Sequence, residues 1–106
     1  MNRDLILSAL KELSDPDFQI RAWSGDEPGV MASFVECVEA LFDDSGLLHA
    51  LAEGVAFSND VDEKLRQLDA ELDMVDDTQP TEALLSDPGM ARVRETAKSI
   101  LRLLAP

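Results

Sequence analysis

The only imidazole in the chain is His49, which stands four residues after Ser45, with Asp43 and Asp44 just before. On paper these residues make a Ser–His–Asp set, the kind that activates a hydroxyl for nucleophilic attack. The spacing argues against it. Ser45 reads as the N-cap of the helix that carries His49, and a capping oxygen is already committed to a backbone N–H. A chain with one histidine and 13 aspartates also offers such a set by chance. His49 is expected to be a partly exposed helical side chain, no catalytic residue is assigned, and the expectation is a protein that is not an enzyme.

Other chemistries fail in the same way. No Cys or His pair has zinc spacing, and the Glu-x-x-His motif of di-iron bundles does not occur. Asp73-Met74-Val75-Asp76-Asp77 is rich in oxygen ligands but lacks the central glycine and closing glutamate of a calcium loop. The five glycines are scattered at helix junctions and form no phosphate cradle, so no cofactor and no metal are expected. Cys37, the single cysteine, allows no internal disulfide. It lies in an apolar helix beside Glu36, where a neighbouring carboxylate disfavours the thiolate, and it reads as a packing residue.

Charge carries more information than any motif. Twenty-two acids oppose nine bases, a net charge of −13. The stretch from Glu12 to Asp87 holds 20 of the acids and only Arg21, Lys64 and Arg66 as bases. The last helix instead bears Arg92, Arg94, Lys98 and Arg102 against Glu95 alone. Arg92, Lys98 and Arg102 are expected to answer acids of the neighbouring helix, and bases late in the helix also complement its dipole. The acidic excess excludes nucleic acid and anionic membranes as partners. It leaves a partner with a basic surface, plain solubility, or adaptation to high salt.

Two acidic surfaces are candidate contact sites. Glu36, Glu39 and Asp43 recur at helical spacing opposite Phe34, Val38 and Leu41. Farther on, Asp62, Asp69, Asp73 and Asp76 fall near one face of a long helix. A third candidate is Trp23 with the turn residues Asp26 and Glu27: tryptophan beside acids suits an interface, though it also suits an anchor that pins a loop to the core.

These residues must be held by helices. Sixteen leucines against ten Val plus Ile, with no tyrosine, favour the helix, in which unbranched side chains lose little rotamer freedom. The spacing predicts helices from about Arg3 to Leu13, from Gly29 to Asp43, from a Ser45 cap to Phe57, from an Asn59 cap through Val75, and from Pro88 to Leu104, with a short helical turn over Pro80–Leu85. In the second of these Val30, Met31, Phe34, Val38, Leu41 and Phe42 are apolar, and in the third Leu47, Leu48, Leu51 and Val55 point inward. Ser14-Asp15-Pro16 and Ser86-Asp87-Pro88 are two copies of one start signal. The segment 16–24 fits a short helix but also alternates like a strand.

Two heptad-like seams, Val61-Leu65-Leu68-Leu72-Val75 and Met90-Val93-Ala97-Ile100-Leu104, are each too short for a coiled coil and suit antiparallel packing within one chain. The expected fold is all-α: a compact bundle of five to six short helices, with residues 1–106 as a single domain. No secretory signal and no membrane-spanning run is evident, so the expected location is cytoplasmic. In composition the chain is similar to immunity proteins and other inhibitors of basic toxins, a likeness that implies a protein partner with a basic surface. The functional expectation is a non-enzymatic protein that binds such a partner through its acidic surface. The alternative is a structural or regulatory module that forms a homodimer through a heptad seam.

Overall fold

The chain turns wherever aspartate precedes proline. In the computed structural model, which describes residues 1–23 and 33–105, seven α-helices follow one another: α1 (Arg3–Ser14), α2 (Pro16–Trp23), α3 (Phe34–Glu39), α4 (Leu47–Glu53), α5 (Asn59–Asp73), α6 (Thr81–Ser86) and α7 (Pro88–Leu104). A wider π-helical turn, Ala40–Asp44, continues α3. The fold is all-α among the described residues, with seven helices rather than five or six, and the segment Pro16–Trp23 is helical rather than extended.

Both Ser-Asp-Pro copies close one helix and open the next. Asp15 follows α1, and its Oδ1 accepts from the backbone N–H groups of Asp17 and Phe18 at 3.0 and 3.2 Å. Asp87 follows α6 and accepts from the Gly89 N–H at 2.7 Å. Pro16 and Pro88 occupy first-turn positions, where a missing N–H removes no intrahelical bond. The hydroxyls of Ser14 and Ser86 donate back to the carbonyls of Lys11 and Glu82.

The core forms where α7 lies against both α1 and α5. Ile6, Leu10 and Leu13 of α1, Leu65 and Leu68 of α5, and Met90, Val93, Ala97 and Ile100 of α7 are fully buried. Each large side chain removed from water in this way stabilises the fold by about 1.5–3 kcal/mol before entropy is counted. The two heptad seams pack α5 and α7 against each other within one chain. One polar strut crosses this apolar centre. The buried Gln19 amide donates to the carbonyls of Glu12 and Leu13, which end α1, and its oxygen accepts from Arg94 Nε at 2.9 Å. Arg94 also donates to the Leu85 carbonyl, and burial lowers its pKa.

Several local expectations change. The predicted helix Gly29–Asp43 begins, among the described residues, at the Ser33 cap and widens after Glu39; Gly29–Ala32, with Val30 and Met31, lie outside the described residues. Helix α4 stops at Gly54, well short of Phe57, and leaves Leu48 and Val55 exposed rather than inward. Gly46 enters α4 in the left-handed region at φ 79°, where a Cβ would be strained. Ser58, one residue before the expected Asn59, caps α5 by accepting from the Val61 N–H. Val75 is past the end of α5 yet still buried. The bases of α7 do not pair with α5 among the described residues: Lys98 meets Glu95 of its own helix at 3.6 Å, and Arg92 lies near Asp87.

Candidate functional site

The site begins with the extra residue in the π turn. In a regular helix Asp43 would continue the row of Glu36 and Glu39. The wider turn holds back the residues after Glu39, so that Asp44 joins Glu36 and Glu39 along a groove against α1, while Asp43 approaches α5. Ser45 ends the turn inside the protein: its hydroxyl donates to the Leu41 carbonyl and accepts from the Leu47 N–H.

The consequence is that the two acidic surfaces read separately from sequence are brought together. Asp43 lies close enough to Asp69 of α5 to raise its pKa. Partial burial is the larger cause of that rise, and the charges of Asp73 and Asp43 add to it. A second groove of about 350 Å³ runs between α3 and the end of α5. Phe34, Val35, Val38, Leu72 and Val75 form its apolar lining, and Glu39, Asp73 and Asp77 bring carboxylates to it. Val35 is 41% exposed, an aliphatic side chain open to solvent beside this row of acids.

No Lys or Arg among the described residues forms an ion pair with Glu39, Asp43, Asp69 or Asp73; Lys98 pairs with Glu95, and the His49 ring lies 3.3 Å from Glu53. Nor does any group of three His, Cys, Asp or Glu among the described residues converge closely enough to hold a metal ion. The face can therefore offer diffuse negative charge around an apolar strip. The Ser45–His49 set does not assemble: the His49 side chain is 78% exposed and meets Glu53 at 3.3 Å, while Ser45 is buried and engaged with backbone.

The remaining sequence candidates fall elsewhere. Asp62, expected on the acidic face of α5, is buried, and its two oxygens accept from the N–H groups of Ala56 and Phe57 at 2.7 and 3.0 Å. This carboxylate holds the turn before α5 in place of solvent. Asp76 lies beyond α5 in a turn, where it accepts from the Thr78 hydroxyl and N–H; these bonds lower its pKa. Its neighbour Asp77 reaches the groove instead, and the Asp-x-Thr pattern of a side-chain-capped turn was the signal for that exchange. Glu36 lines the groove against α1. Asp26 and Glu27 lie outside the described residues.

Trp23 is an anchor. It is 7% exposed and stands edge-on to Phe34, ring centres 5.7 Å apart. Since Phe34 also lines the groove, Trp23 supports the site from behind. Cys37 is buried with its thiol against the Ala9 carbonyl, and burial, reinforced by Glu12, raises its pKa. No helix among the described residues is long and apolar enough to cross a membrane. Comparison with protein-family models, with curated proteins and with solved structures gives no match for this chain.

Proposed function

We propose that this chain is a non-enzymatic binding protein that takes a macromolecular partner with a basic surface on the face formed by Glu39, Asp43, Asp69 and Asp73. One observation carries the reading: Asp43 and Asp73 lie near Asp69, Glu39 lines a groove with Asp73, and no Lys or Arg of the described chain forms an ion pair with any of the four. Like charges brought together oppose folding; at Asp69, whose pKa is raised mainly by partial burial, the charges of Asp73 and Asp43 add to the rise, and a surface of this kind gains when a cationic partner covers it. An inhibitor or immunity protein that masks a basic toxin or nuclease in the cytoplasm is the sharpest version of this function. Long-range attraction would speed capture of such a partner and reject acidic competitors.

The test is affinity capture at low salt, followed by measurement of Kd for the captured protein. The affinity should fall steeply between about 50 mM and about 500 mM NaCl, because exposed charges are screened over that range. A variant carrying Glu39→Gln, Asp43→Asn, Asp69→Asn and Asp73→Asn should stay folded and lose most of the binding. A partner that binds equally well at both salt concentrations, or equally well to the neutralised variant, would sink the proposal.

A further inference from the structure

We infer that the element of the partner seated on this face is a cationic amphipathic helix, whose apolar ridge enters the groove between α3 and the end of α5. The inference rests on the acidic-face reading and adds the shape of what is recognised. Three observations lead to it. The groove couples two chemistries at one place, with Phe34, Val35, Val38, Leu72 and Val75 lining it and Glu39, Asp73 and Asp77 beside them, so a polycation without apolar side chains would leave the lining wet. Its volume of about 350 Å³ is more than twice the roughly 150 Å³ that holds a benzene-sized group, which is room for large aliphatic anchors rather than a whole folded loop. Finally, the groove runs between α3 and the end of α5 with the turn that follows it, and among the described residues there is no strand edge to which an extended peptide could add itself, which favours helix-in-groove recognition.

Charge selects the occupant. A second copy of this chain carries a net charge of −13 and would be repelled as a whole from an acidic face. A helix with Lys or Arg flanking a Leu, Ile or Phe stripe matches both the lining and the acids. The apolar stripe would set register in the groove, and the cations would lie over Glu39, Asp69, Asp73 and Asp77.

The probes are three synthetic peptides of equal charge, two of lysine and leucine and one of lysine alone. One places leucine at helical i, i+3, i+4, i+7 spacing, a second has the same composition scrambled, and a third is oligolysine. Binding is followed by fluorescence anisotropy of labelled peptide at low salt. The patterned peptide should bind about tenfold more tightly than the scrambled one, a difference of about 1.4 kcal/mol. Val35→Ser should abolish that preference. Val55→Ser, which alters a 64%-exposed valine that does not line the groove, should keep it. Both valines are open to solvent, so thermal melts should be nearly unchanged.

If patterned and scrambled peptides bind alike with the same salt dependence, or if the two valine variants behave alike, the groove inference is overturned while the acidic face stands. If no lysine-rich peptide binds, or all bind the four-site neutralised variant as well as the parent, the acidic-face reading falls with it. Light scattering that shows a dimer dispersed by Val35→Ser would give the groove to a second copy and also overturn the inference.

Discussion

The two ends of α5 put the same residue type to opposite uses. At the N-terminal end Asp62 is 1% exposed, with both carboxylate oxygens taken by backbone N–H groups of the turn that precedes the helix. Two turns later Asp69 is half-buried among Asp43 and Asp73, and the raised pKa that follows mainly from its burial is reinforced by those charges. A buried carboxylate is tolerated when its hydrogen bonds replace those of water, and it then fixes the backbone that supplies them. A carboxylate set beside its own kind is a liability to folding, and it is kept where something outside the fold can use it.

Three perturbations sharpen this contrast. The largest effect is expected at Leu68, which is fully buried between the two ends and belongs to neither. Leu68→Ala should cost about 4 kcal/mol in chemical denaturation, as cavities in tightly packed cores do. A loss no larger than that of an exposed position would mean that the α5–α7 seam is not the core. Next, Asp62→Ala should cost about 2 kcal/mol by leaving the Ala56 and Phe57 N–H groups without their acceptors. If stability is unchanged, the turn does not depend on this carboxylate and the contrast with Asp69 disappears.

The smallest change has the opposite sign. Because the folded-state pKa of Asp69 is raised, the folded chain takes up that proton more readily than the unfolded chain. The stability it contributes is therefore fully present below the ordinary value of 3.8 and is lost as pH rises through the raised value. Asp69→Asn, which mimics the protonated form, should melt slightly higher than the parent at neutral pH, with the gain vanishing on acidification below 3.8. The same variant should bind a basic partner less well, the usual trade between stability and function at a site. A variant that melts lower at neutral pH would show that Asp69 makes a favourable contact instead.

Much of the fold was legible because its signals are local. The Ser-Asp-Pro strings act within a single turn, so Asp15 and Asp87 could be placed as caps by inspection. The seam residues Leu65, Leu68, Val93 and Ala97 are buried as their spacing implies. Cys37, too, lies inside its apolar helix. The candidate site was legible only in pieces. Glu39, Asp43, Asp69 and Asp73 were each identifiable as acids on a helix face. Asp62 has the same periodicity as Asp69, and helical spacing cannot say which of the two a loop will fold back to cover.

The sequence alone determined that the described chain would be helical and where most apolar stripes would run, since these follow from propensity, capping and a 3.6-residue period acting over short range. Only the tertiary structure decided that the two acidic stripes would meet. That meeting depends on the wider turn after Glu39 and on α3 and the end of α5 flanking one groove. Contacts between residues distant in the chain are set by packing geometry, which no local period encodes.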